Sequence, residues 1–136
     1  MNKISQIAIK YPLSLICIAL IWCLCLFINM PETPLDDVAF IDKWTHFVMY
    51  GGTCSVIWWE YLRHHRRLNA KRLLVWAFLA PIAMSGLIEV LQATCTTTRQ
   101  GEWLDFGANT IGVVIGNLIG LLMNGLKKLH SSQSVD

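Results

Sequence analysis

Four long apolar stretches run along the 136-residue chain, and short polar segments separate them. The stretches cover about residues 12–29, 43–61, 73–93 and 104–126. Each is roughly 18 to 23 residues long, and a helix of that length crosses about 30 Å of hydrocarbon. The pattern predicts an all-α fold, a four-helix transmembrane bundle formed by residues 1–126 as one domain. A short polar tail, residues 127–136, follows it.

The composition favours the same interpretation. Hydrophobic residues make up 54% of the chain and charged residues only 15%. A soluble domain of this size needs more charge to cover its surface. We expect the first apolar stretch to be retained rather than cleaved as a signal peptide, because its core is long and no small-x-small site follows it.

Basic residues flank the apolar stretches on one side of the predicted bundle. Two precede the first stretch, five lie in the second loop "RHHRRLNAKR", and Lys127 and Lys128 follow the last stretch. Cytoplasmic loops carry such an excess of Lys and Arg, so both termini are predicted to be cytoplasmic. Only Lys43 and Arg99 remain on the predicted outer side, where they oppose the topology signal.

The second apolar stretch begins with an unusual set of polar residues. Asp42, His46 and Tyr50 are spaced i, i+4, i+8, so they share one helix face, and Lys43 lies beside them. Charged groups are costly in lipid and mark functional sites there more often than elsewhere. The alternative interpretation is that Asp42 caps the helix N-terminus and Lys43 extends to the interface. His46 is not needed for capping.

The third and fourth stretches bring further polar groups to the same predicted depth. Glu89 and Gln92 are spaced i, i+3 near the outer end of the third helix, and desolvation there requires that Glu89 be protonated or meet a cation. Asp105 and Asn109 are spaced i, i+4 at the start of the fourth helix. Glycines continue that face and predict close helix packing, namely Gly112, Gly116 and Gly120.

Three separate segments thus deliver polar groups to the outer half of the membrane, whereas the inner half of the predicted helices holds almost none. We take His46, Glu89 and Asp105 as candidate catalytic acid/base groups. The candidate ligand-binding residues around them are Asp42, Lys43, Tyr50, Gln92, Arg99, Glu102 and Asn109.

A metal site is the less favoured interpretation of this cluster. Asp42, His46 and Glu89 offer a His-plus-carboxylate ligand set, but Lys43 and Arg99 would repel a divalent cation. We therefore expect no metal and no other cofactor. We also expect no disulfide, since four of the five cysteines lie within apolar stretches.

The three motifs together resemble the VanZ-like family of small bacterial integral membrane proteins. They read "DKWTHFVMY" from Asp42, "EVLQ" from Glu89 and "RQGEWLDFGANTIGVVIG" from Arg99, and the resemblance covers about residues 40–120. The family often has Asp three residues after the Arg, where this chain has Glu102, whose carboxylate has a longer reach.

The resemblance implies a multi-pass protein of the bacterial cytoplasmic membrane, and the family's namesake is associated with resistance to teicoplanin-type glycopeptides. The leading hypothesis is a pocket on the outer face that binds a lipid or lipid-linked wall precursor, with Lys43 and Arg99 holding a phosphate. A second is an enzyme that uses His46 and Glu89 for acid–base chemistry on such a lipid. A third is a small proton-coupled carrier. A homo-oligomer remains open, and a nucleic-acid partner is not expected.

Overall fold

Five helices make up the described part of the chain, residues 2–28, 34, 40–97 and 101–133 of a computed structural model. No strand occurs in these ranges. The helices are α1 (Lys3–Lys10), α2 (Pro12–Leu26), α3 (Ile41–His64), α4 (Ala70–Cys95) and α5 (Trp103–Gln133). The prediction of an all-α fold is confirmed.

Two of these helices, α4 and α5, are long and apolar enough to cross a membrane. A third span is formed if α1 and α2, which meet at 95°, count as one bent unit. Helix α3 has 24 residues but does not reach the same mean hydropathy over a membrane-spanning window. The described helices therefore indicate a membrane protein with two or three recognisable spans, fewer than the four predicted from the apolar stretches.

Side-chain contacts show that neighbouring helices alternate in direction. At one end, the Glu60 carboxylate of α3 lies against the start of α2, and the Lys127 ammonium of α5 contacts the Leu62 carbonyl. At the other end, Lys43 of α3 contacts Glu102 just before α5. We call these the Glu60 end and the His46 end. Helices α3 and α5 run from the His46 end to the Glu60 end, and α2 and α4 run back.

Glycines allow α5 to lie directly against α3. A Cβ added to Gly112 would overlap the Phe47 carbonyl, and one added to Gly116 would lie 2.6 Å from the Gly51 carbonyl oxygen. A Cβ on Gly120 would overlap the Trp58 ring. Such small-residue faces let helix backbones approach closely, and here they set the separation of α3 and α5 along most of their length.

Helix α4 changes its winding before Pro81. Residues Leu74–Leu79 form a π-helical segment, and Pro81 follows within the first turn of the α-helical part, Ala80–Cys95. Proline has no N–H to donate to the preceding turn, and a wider turn is one way a helix accommodates such a break. Pro81 is therefore accompanied by a change of helix type.

Two boundaries differ from the sequence prediction. Helix α1 was not predicted, although Asn2 caps it by accepting a hydrogen bond from the Ser5 amide at 3.1 Å. Helix α5 continues to Gln133, past the predicted end at Leu126, so the predicted polar tail is helical over residues 127–133. The absence of Gly or Pro in residues 126–133 leaves no local signal to stop it.

Candidate functional site

The ammonium of Lys43 lies among three carboxylates at the His46 end. Its Nζ is 2.6 Å from Asp105 Oδ1, 2.7 Å from Glu102 Oε2 and 3.2 Å from Asp42 Oδ2. An ammonium has three N–H donors, so these acids can take all of them. This side chain is therefore paired with the protein's own carboxylates, and its role in holding a phosphate stays a prediction.

His46 lies between two of these acids and is only 4% exposed. Its Nε2 is 3.6 Å from Asp105 Oδ2 and 3.8 Å from Asp42 Oδ1, which is close enough for charge interaction but too long for a hydrogen bond. The one-turn spacing of Asp42 and His46 brings both to the start of α5, as their shared face predicted. The imidazole thus faces two carboxylate oxygens without bonding to either.

Glu89 meets a backbone amide rather than a cation. Its Oε2 accepts a hydrogen bond from the Glu102 N–H at 2.9 Å, while its Oε1 is buried without a partner. Gly101 makes this possible, since a Cβ there would overlap the Glu89 carbonyl oxygen. The sequence predicts that Glu89 is protonated or meets a cation. Among the described residues, neither Lys43 nor His46 forms an ion pair with it.

A second layer lies one to two turns deeper. The Asn109 amide donates to the Ser85 hydroxyl at 2.8 Å, and this bond joins α5 to α4. The Tyr50 side chain is fully buried, and its hydroxyl faces Ser85 without a well-formed hydrogen bond. The side-chain amide oxygen of Asn109, Oδ1, also has no hydrogen-bond partner.

Gln92 joins the site to α2. Its amide nitrogen donates to the Cys25 carbonyl at 2.9 Å, and this contact fixes the side chain so that its oxygen is left buried and unpaired. An apolar groove of about 400 Å³ lies beside this contact, between the ends of α2 and α4. Leu26 and Leu91 are among the residues that line it.

Arg99, the other basic residue predicted for the site, lies outside the described residues. Within the described part of the site, Lys43 is the permanent cation and contacts the carboxylates of Asp42, Glu102 and Asp105, and Glu89 is a fourth acid beside them. Among the described residues, carboxyl groups therefore outnumber permanent cations in this site.

Unpaired buried atoms concentrate in this site. Among the described residues, the buried side-chain N and O atoms that lack a hydrogen bond belong to His46, Tyr50, Glu89, Gln92, Asp105 and Asn109. Asp105 Oδ1 nevertheless has the Lys43 ammonium beside it. Buried polar atoms in folded proteins are nearly always paired, and exceptions mark catalytic or ligand-binding positions. Most of these atoms are acceptor oxygens, so the site is short of hydrogen-bond donors.

Sequence reasoning missed a second buried polar group, at the Glu60 end. Glu60 accepts hydrogen bonds from the Leu13 and Ser14 amides at 2.9 and 3.0 Å and from the Ser14 hydroxyl at 2.6 Å. Nearby, the Trp58 indole donates to Asn117 at 2.8 Å. The expectation that this half of the helices lacks polar residues is wrong. Pro12, with Ser14 two residues after it, was the available signal of a helix start in need of a cap.

Comparison with known proteins adds no relative. No protein-family model matches the chain, and neither a curated protein nor a solved structure is significantly similar to it. The fold and the site therefore define the class on their own, an all-helical protein over its described residues, with helices long and apolar enough to span a membrane and a buried acid-rich cluster at one end.

Proposed function

We propose that α2, α3, α4 and α5 all cross the bacterial cytoplasmic membrane, with both termini in the cytoplasm. The basic loop between α3 and α4 lies at the Glu60 end, and the acid-rich cluster lies at the His46 end. Basic residues favour the cytoplasmic side, so the His46 end faces outward. The polar groups of α3 are buried against α2 and α5, and this burial offsets its lower hydropathy.

In this arrangement α1 lies along the cytoplasmic surface of the membrane. It meets α2 at 95°, and Ile4, Ile7 and Ile9 remain exposed on it. A short helix with exposed apolar side chains and a basic residue such as Lys10 suits the boundary between head groups and acyl chains.

Cysteine labelling tests the orientation. In a chain without its five native cysteines, a single cysteine at Trp103 should react with an impermeant maleimide in intact cells. A single cysteine at Arg66 should react only after the membrane is opened. The reverse pattern would place the acid-rich cluster in the cytoplasm and contradict the proposal.

The function that the site supports best is binding of a lipid or lipid-linked wall precursor at the His46 end, as in a VanZ-like envelope protein. The observation that carries it is the set of unpaired buried acceptors, which suits a ligand rich in hydroxyl or amine donors. Sugar, glycerol and ethanolamine groups have this character. The apolar groove beside Gln92 can accept an acyl chain of the same ligand.

Lipids that copurify with the protein test this function. Native mass spectrometry of the full chain in mild detergent should detect a retained lipid, and Asn109→Leu should reduce its occupancy severalfold because it removes an unpaired acceptor. Asn117→Leu is the matched control, since Asn117 lies at the Glu60 end and is fully paired. Equal lipid retention in the wild type and in both variants would count against a site at the His46 end.

A second candidate, an acid–base enzyme, is favoured by the position of His46. An imidazole beside two carboxylates is the usual arrangement of a general base and its orienting acid. Purified protein should then convert a lipid from an envelope extract. His46→Gln should abolish turnover while lipid binding persists, because glutamine keeps hydrogen-bonding capacity but is not a base. Turnover unchanged in His46→Gln would exclude this role.

A further inference from the structure

We propose that Asp42, His46 and Asp105 form a binding site for a divalent first-row transition metal ion. One ligand atom from each of the three residues lies within 4.8 Å of the others. The facing atoms are Asp42 Oδ1, His46 Nε2 and Asp105 Oδ2. Imidazole and carboxylate together are a common ligand set for Zn²⁺, Mn²⁺ and Fe²⁺.

The spacing of these atoms suits a shared ion better than direct contact. The imidazole Nε2 lies 3.6 and 3.8 Å from the two carboxylate oxygens, beyond hydrogen-bonding distance. Ligands about 2.1 Å from a common ion lie about 3.0 to 3.4 Å apart. The two imidazole–carboxylate distances, 3.6 and 3.8 Å, therefore exceed this range by less than about 1 Å.

Lys43 does not occupy this position. Its ammonium contacts Asp42 Oδ2 and Asp105 Oδ1, whereas His46 lies nearest to the other oxygen of each carboxylate. The inner oxygen of each carboxylate is left to face the imidazole. Groups that bond to the outer oxygen of a metal-binding carboxylate orient it, and this is the place Lys43 takes here. Lys43, expected from the sequence to repel a metal ion, would thus position two of its ligands.

His46 supplies an independent indication. It is more than nine-tenths buried, and neither ring nitrogen makes a hydrogen bond. In the neutral form with its proton on Nδ1, the ring turns a lone pair toward two carboxylate oxygens, and a cation between them would offset the repulsion. The excess of carboxylates over cations in the described site acts in the same direction.

A bound ion would also allow an anionic group of the ligand to bind at an acid-rich site. Three protein ligands leave coordination positions open, and a phosphate or hydroxyl oxygen can fill them. This extension rests on the proposed lipid function, whereas the metal site itself does not.

Manganese binding tests the site, because Mn²⁺ prefers oxygen and imidazole ligands to cysteine thiols. The full chain in detergent, dialysed against a chelator, should bind one Mn²⁺ in a titration followed by electron paramagnetic resonance. The bound spectrum should show coupling to one imidazole nitrogen. Asp42→Asn should weaken binding at least about tenfold. Asp42 is exposed and should tolerate this change.

Glu102→Gln is the matched control, since it removes another carboxylate from Lys43 but no proposed metal ligand. It should change Mn²⁺ affinity less than about threefold. Equal losses in Asp42→Asn and Glu102→Gln, or no imidazole coupling, would overturn the site and leave only general charge attraction. Mn²⁺ binding that does not alter lipid retention would uphold the metal site and refute its lipid role.

Discussion

The two ends of the helix bundle each bury an acid, but they satisfy it differently. At the Glu60 end, both oxygens of Glu60 accept hydrogen bonds from the first turn of α2. At the His46 end, Glu89 accepts one bond and leaves its second oxygen unpaired. Burial of an acid therefore does not by itself identify a site. The number of partners that the acid lacks separates a structural carboxylate from a candidate functional one.

Amides show the same contrast. Asn117 accepts from Trp58 and donates to the Ala77 and Val113 carbonyls, so its side chain is fully used. Asn109, two turns nearer the His46 end, donates to Ser85 and accepts nothing. We infer that polar groups at the Glu60 end hold the helices together. Those at the His46 end retain unpaired atoms that can form hydrogen bonds with a ligand.

The largest expected effect comes from removing the acid at the Glu60 end. Glu60→Ala leaves two helix N-terminal amides and a hydroxyl without their acceptor, and should lower the free energy of unfolding by about 3 kcal/mol. Glu89→Ala should cost less than about 1.5 kcal/mol, because one backbone bond is lost. Unfolding in detergent by denaturant measures both. A greater loss of unfolding free energy in Glu89→Ala than in Glu60→Ala would contradict our assignment of Glu60 as the structural acid and Glu89 as the functional one.

The glycine face between the ends should rank next. Gly116→Ala places a Cβ 2.6 Å from the Gly51 carbonyl oxygen and 2.7 Å from Cys54 Cβ, and should cost about 2 kcal/mol. The control is Gly107→Ala, because a Cβ there meets nothing within 4 Å. That change should be neutral or stabilising, since alanine favours a helix. Equal unfolding midpoints for the two variants would show that α3 and α5 do not pack this closely.

Replacing either of the two asparagines, Asn117 and Asn109, should have a smaller effect on stability. Asn117→Ala leaves the Trp58 indole N–H without its acceptor and should cost about 1 to 2 kcal/mol. Asn109→Ala removes a single bond to Ser85 and also an unpaired acceptor, so its cost should stay below about 1 kcal/mol. Thermal unfolding followed by tryptophan fluorescence distinguishes them. A larger loss of stability in Asn109→Ala than in Asn117→Ala would contradict the proposed contrast between the two ends.

Helical spacing was sufficient to predict which residues would meet at the His46 end. Asp42 and His46 lie one turn apart on α3, and Asp105 lies in the first turn of α5, so the alternating helix directions bring them together. Glu60 could not be found in this way, because its partner Ser14 lies 46 positions away and the contact depends on how α2 is rotated. An acid between Trp59 and Tyr61 resembles an ordinary interface residue.

Other differences have local causes. Gln92 shares a helix face with Glu89, yet it reaches the Cys25 carbonyl of α2, because a long side chain near a helix end can contact either neighbour. The pairing of Lys43 depends on Glu102 and Asp105 lying within 2.7 Å of its ammonium. Sequence spacing predicts that such groups are near, but not which of them pair.

The smallest expected effect concerns Glu102, whose side chain is half exposed and whose backbone amide bonds to Glu89. Glu102→Gln removes one partly solvated ion pair and should cost less than about 0.5 kcal/mol, with the difference from wild type vanishing in high salt. Gly101→Ala should cost more, because its Cβ would overlap the Glu89 carbonyl and displace the amide. A larger loss in Glu102→Gln than in Gly101→Ala would show that the Glu102 carboxylate, and not its backbone amide, stabilises the site. The longer reach of Glu in place of Asp would then matter for the site.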